Sequence, residues 1–123
     1  MDAHLRWLHA TLRREDRRLL VGEQDGQPVG TVRWDLDTRG EWEVSITVAP
    51  ERRGSGLAGA LLRAGEDWLQ EAHPGELAAY LASVHVDNLA SRRLFLGAGY
   101  LPDLPADDEG FERFVKGVRS GPT

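Results

Sequence analysis

A strand that stops at a proline and runs through a glycine-rich turn into a long apolar helix is the feature that most constrains the fold of this chain. Over residues 41–48, apolar side chains alternate with polar ones, which predicts a strand with one buried face. Pro50 ends this strand, Gly54 and Gly56 follow, and over residues 56–72 apolar side chains recur at helical spacing. Strand-to-helix turns of this kind are where open sheets usually bind ligands.

The sequence before this strand predicts a helix and two strands of an antiparallel meander. Leucines at helical spacing predict an amphipathic first helix over residues 2–14. Alternating patterns predict strands over residues 17–24 and 28–35, and Asp25-Gly26 between them is a two-residue hairpin signal. The strand that precedes Pro50 completes the meander.

After the long helix the sequence predicts a further strand and a further helix. The strand over residues 76–86 is reached by a helical crossover, so we expect it to run parallel to the strand at 41–48. Asp87 or Asn88 can cap the next helix, which is predicted over residues 89–97.

The end of the chain predicts a loop and one more strand. Residues 101–109 are rich in proline and acidic residues, which predicts a surface loop, and residues 111–118 show the pattern of a last strand. The complete element order predicts an α/β (mixed α+β) fold, in which a mixed, mostly antiparallel sheet is flanked by helices. We expect residues 1–119 to form a single domain and residues 120–123 to form a C-terminal tail.

Net charge and composition narrow the function classes. A net charge of −5 argues against nucleic acid as the main partner, because phosphate backbones attract a basic face. The chain has no cysteine, which excludes a cysteine nucleophile, and His4 and His9 are not spaced as metal ligands, so no metal site is expected. The sequence contains no long apolar run of the kind that indicates a signal peptide or a membrane span. We therefore expect a cytoplasmic protein that binds no membrane.

The turn after Pro50 has the features of a phosphate-binding loop. Gly54 and Gly56 let the backbone turn sharply and approach a ligand closely, and the helix that follows offers unpaired N–H groups. Arg52 and Arg53 add positive charge, which makes a pyrophosphate a suitable ligand. From these residues alone, a solvated turn without a ligand is an equally open alternative. No Gly-Lys-Ser or Gly-Lys-Thr follows, which disfavours a nucleotide P-loop, and the antiparallel meander disfavours a dinucleotide fold.

Two motifs in the expected order resemble those of the GNAT superfamily of N-acyltransferases. The stretch Arg53-Gly54-Ser55-Gly56-Leu57-Ala58 is similar to the superfamily's pyrophosphate signature, and it lies between a strand and a long helix. Further along, Val86-Asp87-Asn88-Leu89-Ala90-Ser91 and then Gly99-Tyr100 are similar to a second motif, in which Asn opens a helix that ends in Gly and an aromatic residue. The resemblance covers residues 17–100.

The resemblance implies a V-shaped cleft that holds acetyl-CoA between the strands ending near Val48 and Val86. The backbone of the strand that ends near Val48 would pair with the pantetheine arm. The amides of the glycine-rich turn would hold the pyrophosphate. Asn88 would hydrogen-bond the pantetheine near the thioester, with a plain helix cap as the alternative role. The cofactor-binding residues implied in this way are Ile46, Thr47, Val48, Arg53, Gly54, Ser55, Gly56, Leu57, Ala58, Asn88, Ser91 and Phe95.

The family's usual acid is missing from this sequence. Many family members have a tyrosine at the position of Phe95, where its hydroxyl can protonate the departing thiolate. Phe95 has no proton to give, but a thiol with a pKa of about 8.5 is a fair leaving group without help. Ser91 or a bound water is an alternative proton donor, although a serine at such a place is more often a helix-surface residue.

A base is expected because the acceptor amine must be neutral when it attacks. At an ordinary amine pKa of about 10.4, deprotonation at pH 7 costs about 4.6 kcal/mol. Glu43, on the polar face of the predicted strand, can act through water, and Glu41 is the next candidate; each is otherwise a solvent-facing glutamate. His85, just before the second motif, is a further candidate.

The function implied is direct transfer of an acetyl group from acetyl-CoA to a primary amine of a small molecule. Three stretches look similar to GNAT domains that acetylate amino groups of nucleotide-linked sugars: His4-Leu5-Arg6-Trp7-Leu8, Gly30-Thr31-Val32-Arg33-Trp34-Asp35 and Glu43-Val44-Ser45-Ile46. Trp34 can stack on such an acceptor, whereas the strand parity of Trp42 favours the core. A non-catalytic acyl-CoA-binding module and a protein or peptide N-acetyltransferase are the alternatives. A homodimer through an exposed sheet edge or the last strand is compatible with the pattern.

Overall fold

The computed structural model describes residues 6–8 and 16–118, and within them seven strands form one mixed sheet. The elements are β1 (Arg6–Leu8), β2 (Arg17–Gln24), β3 (Gln27–Leu36), β4 (Trp42–Val48), a short 3-10 helix (Pro50–Arg52), α1 (Leu57–Ala72), β5 (Ala79–His85), α2 (Leu89–Gly97), β6 (Leu101–Leu104) and β7 (Phe111–Gly117). The strand order is β1-β2-β3-β4-β5-β7-β6. β4 and β5 run parallel and the other neighbouring strands run antiparallel, which confirms the predicted fold class.

Local turn chemistry sets the register of the meander. β2 and β3 are joined through Asp25 and Gly26, whose φ angles of 54° and 79° are both positive. Two positive φ angles in a two-residue connection are typical of a type I′ turn, whose twist matches that of antiparallel strands. The predicted hairpin is therefore confirmed, and all three predicted meander strands are present with small differences at their ends.

α1 packs against β3 and β4 and covers one face of the sheet. Gly65 lies so close to β3 that a methyl group in its place would be 2.9 Å from Val32 Cγ1. Trp34 is fully buried in this layer, with its ring centroid 5.2 Å from that of Tyr80. The interpretation of Trp34 as part of an acceptor pocket is therefore wrong, because its strand position points it at α1. Trp42 is also in the core, as its parity predicts.

α2 lies on the same face of the sheet as α1. The Arg92 guanidinium is 5.5 Å from the centroid of the Phe114 ring, and Phe114 belongs to the same buried cluster as Trp34. Phe95 of α2 joins this cluster as well. Both helices therefore contribute to one core on one side of the sheet.

On the other side of the sheet, the part that β3 and β4 form is polar, and we call it the open face. It consists of alternate residues of β3 and β4, which the register places opposite one another: Arg33 with Ser45, and Asp35 with Glu43. In the described part of the chain no helix packs on this face. Arg33 is exposed on this face, and Asp35, Glu43 and Ser45 are half-buried.

The start of the chain differs from its predicted helix. Arg6–Leu8 is a strand that pairs antiparallel with β2, with Arg6 opposite Glu23 and Leu8 opposite Val21. The helix predicted over residues 2–14 is therefore wrong at these positions, and its remaining residues lie outside the described ranges. The backbone of β1 completes hydrogen bonds along the edge of β2, a long-range gain that outweighs helical spacing over a short stretch.

The end of the chain also differs from its predicted loop. Leu101–Leu104 forms an edge strand on β7, and an edge position tolerates Pro102 because the missing N–H is not needed there. β7 therefore lies inside the sheet, so in the described structure it offers no free edge for the predicted dimer contact. Among the described residues, no helix has the length and apolar character needed to cross a membrane.

Candidate functional site

A cleft opens where β4 and β5 separate. The two strands pair in parallel at Trp42 with Tyr80 and at Glu43 with Leu81, and beyond these positions they diverge. The space between them and the two helices has a volume of about 600 Å³. This confirms the predicted V-shaped splay. The lining residues are Val44, Ser45, Ile46, Thr47, Val48, Arg53, Ala58, Ser83, Asn88, Ala90, Ser91, Leu94 and Phe95.

The cleft passes through the sheet from one face to the other. Ser45 belongs to the open face, and Ser83 has the same parity as Leu81, the partner of Glu43. Phe95 and Ala58 contribute from the two helices on the opposite side. One end of the cleft is therefore reached past α1 and α2, and the other end is reached from the open face.

The glycine-rich turn is open to solvent and leads directly into α1. Gly54 and Gly56 have φ angles of 81° and 79°, and a Cβ on either would meet no heavy atom within 4 Å. Gly56 is the N-cap of α1 and provides no side-chain cap, so the first N–H groups of the helix lack the usual internal partner. Ser55 closes the turn by donating from Oγ to the Arg52 carbonyl at 2.6 Å. The amides of this turn are therefore available to an anion.

The two arginines of the turn have different surroundings. Arg53 lines the cleft, and its Nε donates to the Val48 carbonyl at 3.3 Å. Arg52 points away from the cleft and donates from Nη1 to Gln24 Oε1 at 2.8 Å, which ties the turn to the β2–β3 hairpin. Beside Arg52 is a second pocket of about 370 Å³, which Ser55, Gly56 and Leu57 also line. The predicted loop residues are thus shared between two neighbouring concave surfaces.

Asn88 caps α2 and faces the cleft. Its Oδ1 accepts from the Ser91 N–H at 3.0 Å, which confirms Asn88 as the predicted helix cap. In the described ranges the side-chain NH₂ group of Asn88 has no protein partner. The cap occupies the acceptor end of the amide and leaves its donor end unused, so the two predicted roles are compatible.

Phe95 lies against the cleft and has no hydroxyl, and Ser91, one helical turn before it, also lines the cleft. Its ring packs edge-on against Tyr100 with 5.0 Å between centroids, and only 5% of it is exposed. The Tyr100 hydroxyl points away and donates to Glu66 Oε2 at 2.7 Å. Burial, together with the charge and hydrogen bond of Glu66, raises the pKa of Tyr100, so this phenol keeps its proton at neutral pH.

The two candidate glutamates, Glu41 just before β4 and Glu43 on it, differ in their partners. Arg113 donates from Nη2 to Glu41 Oε1 at 3.3 Å, and its Nε is 3.5 Å from Asp103 Oδ2. Glu43 occupies the last paired position before the strands diverge, and in the described chain its carboxylate has no ion pair or hydrogen bond. Neither glutamate lines the cleft itself, but Ser45, the next residue on the same face, does.

His85 does not face the cleft. Its Nδ1 accepts from the Asp87 N–H at 3.1 Å, and its ring packs edge-on against Phe111 with 5.1 Å between centroids. The lone pair that a base would use is therefore occupied in the turn before α2. The structure does not support His85 as a base.

Several cleft residues are missing from the sequence-based prediction. Val44, Ser83, Ala90 and Leu94 line the cleft beside the predicted residues. Ser83 carries a signal that was available, because it is a polar residue at an outward position of an otherwise apolar strand. Ala90 and Leu94 are four residues apart on α2, so they share one helix face beside the cap.

Comparison with known proteins decides the family. A sequence model of the acetyltransferase (GNAT) family matches residues 1–100. The chain belongs to the GNAT acetyltransferase family. The predicted membership is thereby confirmed, while the narrower nucleotide-sugar type is not. No curated protein matches the sequence at a significant level.

Solved GNAT structures share the fold of this chain. The GNAT domain of PAT from S. lividans is 27% identical, with a TM-score of 0.72, over 84% of this chain and 61% of that domain's chain. Spermidine N-acetyltransferase from Vibrio cholerae, in complex with CoA and spermine, is 20% identical with a TM-score of 0.73, and the match covers 84% of this chain and 66% of that chain. IAA acetyltransferase from Bacillus cereus ATCC 14579 is 14% identical with a TM-score of 0.72, and the match covers 85% of this chain and 79% of that chain. The chain thus spans about three fifths of the length of the S. lividans chain.

Acetyl-CoA is the acyl donor of the GNAT family, and the cleft has a chemistry that fits it. Beyond Glu43 the edge of β4 that faces β5 is unpaired, which leaves backbone groups for an elongated amide-bearing ligand. The open turn and Arg53 provide positive potential at one end of this edge. The expected cofactor therefore agrees with the residues that line the site.

Proposed function

We propose that this chain transfers an acetyl group from acetyl-CoA directly to a primary amine of a small molecule. One observation carries the proposal: the cleft joins the phosphate-type turn on the helix side to a polar surface on the open face. In the proposed reaction an N–C bond forms, the thioester C–S bond breaks, the amine loses a proton and the sulfur leaves as a thiolate. No covalent bond to the protein is needed, in keeping with a chain that has no cysteine.

The donor is proposed to lie along β4 with its pyrophosphate at the start of α1. The backbones of Ile46 and Val48 lie on the edge of β4 that faces away from β3 and supply hydrogen-bonding groups, whereas the backbone of Thr47 pairs with β3. The amides of residues 54–58 bind the diphosphate, and Arg53, whose own N–H donates to the Pro50 carbonyl, adds charge beside them. Acetyl-CoA, when bound, supplies an acyl group activated as a thioester.

The reactive end of the donor is proposed to lie between Asn88 and Ser45. The free NH₂ group of Asn88 donates to the ligand, while the cap to Ser91 holds the amide in place. Phe95 and Leu94 provide an apolar wall that excludes water. With Phe95 in place of a tyrosine, the thiolate leaves without a protein acid and takes its proton from solvent, which a thiol pKa of about 8.5 permits.

Glu43 is the proposed base. Its carboxylate is free in the described chain, and it lies two residues before Ser45 on the same face of β4. A water molecule bound between the amine and Glu43 can carry the proton, which reduces the cost of forming the neutral amine. Glu41 is not suited to this role because Arg113 holds its carboxylate.

The acceptor is proposed to be a small amine such as an amino sugar. The spermidine N-acetyltransferase neighbour, which was solved in complex with CoA and spermine, supports small amines as a class. The open face leaves room for a peptide too, and Phe95 is the observation that favours a non-catalytic acyl-CoA-binding module. These two alternatives are outcomes of the test.

Thiol release tests the proposal. Purified protein, acetyl-CoA and a panel of amino sugars, simple amines and peptides are combined, and free thiol is measured against time. Acceptor-dependent release with small amines is the expected result, and release with peptides alone indicates a peptide acetyltransferase. CoA binding without turnover on any acceptor indicates a binding module, and absence of CoA binding contradicts the site assignment itself.

A further inference from the structure

Arg33 and Glu43 carry opposite charges and lie near each other on the open face, but they do not form an ion pair with each other. Arg33 of β3 is directly opposite Ser45, and Glu43 lies two residues before Ser45 on β4. Such diagonal neighbours have Cα atoms about 7–8 Å apart, within reach of two long side chains. Arg33 nevertheless donates from Nε to Asp35 Oδ2 at 2.8 Å, and the Glu43 carboxylate has no partner in the ranges that the structure describes.

Asp35 cannot neutralise the arginines around it. It accepts from Arg17 Nε at 2.5 Å as well as from Arg33, so one carboxylate serves two guanidinium groups. Arg33 is the more exposed of the two, at 45% against 32% for Arg17. Its Nη2 makes one long contact, 3.5 Å to Ser45 Oγ. The outer edge of the Arg33 guanidinium therefore remains available for a further anion.

Both charges flank the end of the cleft that opens on this face. Ser45, which Arg33 contacts, lines the cleft, and Ser83 lines it from β5. Glu43 lies at the last position where the two strands are paired. An acceptor that approaches from the open face therefore meets a free carboxylate and a free guanidinium edge on either side of Ser45.

We propose that the acceptor is a primary amine that carries an anionic group, a carboxylate or a phosphate, a few atoms from the amine. This rests on the proposed function and names its substrate class. Glu43 attracts the amine, and Arg33 binds the anion through its planar pair of donors, which suit both carboxylate and phosphate. A polycation places a second positive charge against Arg33 and is disfavoured. Arg33 is then a specificity-determining residue.

Matched pairs of amines test the proposal. Thiol release is measured with propylamine against 3-aminopropanoate, ethanolamine against O-phosphoethanolamine, and glucosamine against glucosamine 6-phosphate, with spermidine as a polycation. In the wild type, kcat/KM is expected to be about tenfold higher for the anionic member, through KM, because a charge-assisted contact is gained. The members of the first pair differ by a carboxylate and those of the other two pairs differ by a phosphate, so the assay distinguishes the two types of anion.

Three variants assign the preference to a residue. Arg33→Gln is expected to reduce this preference to about twofold or less, and Arg33→Lys is expected to keep part of it. Arg39→Gln is the matched control, since Arg39 is exposed in the turn between β3 and β4 and the change removes the same charge. Equal kcat/KM within each wild-type pair, preference for spermidine, or an equal effect of Arg39→Gln overturns the proposal.

A binding measurement separates this proposal from the proposed function. The CoA-loaded protein is titrated with each amine by calorimetry. If no amine is acetylated, the proposed function fails, but tighter binding of the anionic members that Arg33→Gln abolishes still supports the charged site. Equal affinity for the two amines of a pair contradicts the proposed charged site, whether or not the amines are acetylated.

Discussion

The Tyr100 hydroxyl donates a 2.7 Å hydrogen bond to Glu66, and Lys116 Nζ binds the other oxygen of the same carboxylate at 2.8 Å. Glu66 is on α1, Tyr100 follows α2, and Lys116 is on β7. Both Glu66 and Tyr100 are buried, so this carboxylate joins three elements that surround the core. The helix that carries the glycine-rich turn is thereby held against the segment that follows the cleft-lining helix.

The first prediction is that neither tyrosine ionises at its ordinary pKa in the folded protein. Tyr80 and Tyr100 are the two tyrosines of the chain. Burial, and then the charges of Glu66 and Asp67, raise the pKa of Tyr80 from 10.0 to about 12, and the pKa of Tyr100 is raised too. The absorbance of tyrosinate should therefore stay flat through pH 10 in the native state and rise only above that.

The same shift makes stability fall with alkaline pH. Between the unfolded pKa of 10.0 and the folded value of about 12, Tyr80 is ionised in the unfolded chain and protonated in the native one. The native state then binds more protons than the unfolded chain. The contribution of Tyr80 to the free energy of unfolding is therefore complete below pH 10 and is lost as the pH rises from 10 to about 12. Chemical denaturation at pH 9 and pH 11 measures the loss. Tyrosinate that forms near pH 10 while the protein is still folded contradicts the burial of both side chains.

Substitution of Gly56 by valine is expected to weaken CoA binding beyond its effect on stability. A branched residue at φ 79° is strained by about 1–2 kcal/mol, and its side chain projects at the turn proposed to hold the diphosphate. Gly40→Val is the control, since Gly40 has a φ of 83°, meets no atom within 4 Å and lies in the β3–β4 turn. Denaturation should show similar losses for both variants, and calorimetry with CoA should separate them. Equal CoA affinity of the two variants counts against the loop.

Two glycines of α1 are expected to respond to alanine with opposite signs. At Gly65 a Cβ would be 2.9 Å from Val32 Cγ1, and overpacking of this kind costs about 1–3 kcal/mol of unfolding free energy. At Gly59 the nearest atom is Arg63 Nη1 at 3.7 Å, so alanine should stabilise the helix by about 0.5–1 kcal/mol. Urea denaturation of the two variants measures both signs. Stabilisation by Gly65→Ala would show that α1 packs less closely on β3 than described.

Two substitutions of Asn88 are expected to distinguish its role in helix capping from its role in ligand binding. Asn88→Asp keeps an oxygen for the Ser91 N–H and loses the NH₂ donor, so stability should change little while CoA binding weakens. Asn88→Ala loses the cap as well and should cost about 1 kcal/mol more. Thermal denaturation and CoA titration of both variants distinguish the roles. If Asn88→Asp binds CoA as well as the wild type, Asn88 is a cap alone.

Substitutions of Glu43 and Glu41 are expected to differ in their effect on activity, although the two residues are only two positions apart. Glu43→Gln removes the proposed base and should lower kcat/KM about a hundredfold at neutral pH, with recovery as the pH approaches the pKa of the amine. Glu41→Gln removes a carboxylate already held by Arg113 and should lower kcat/KM less than about threefold. Thiol release from pH 6 to 10 gives both profiles. Similar profiles for the two variants would mean that Glu43 is not the base.

Most strands and the helix cap were predictable because their signals are local. The alternation in β4, the turn at Asp25 and Gly26, and the cap at Asn88 each depend on residues within a few positions. The cleft was predictable at the level of its two motifs, since a strand end and a helix start define it. The roles assigned to the residues that line it remain predictions, as do the homodimer and the cellular location.

What the sequence did not predict depends on contacts between distant segments. β1 exists because β2 has an edge to pair with, and β6 exists because β7 offers one. Glu41 loses its place as a candidate base through Arg113, which is separated from it by 72 positions in the chain. Trp34 shows alternation like its neighbours, and only the position of α1 decides that it is buried.

The passage through the sheet has a kinetic consequence. In the proposed arrangement, a donor that enters past the helices and an acceptor that enters from the open face do not obstruct each other, so neither needs to arrive or depart first. Initial-rate patterns should then show intersecting lines with no compulsory order of addition, and the spent carrier should inhibit competitively against the donor alone.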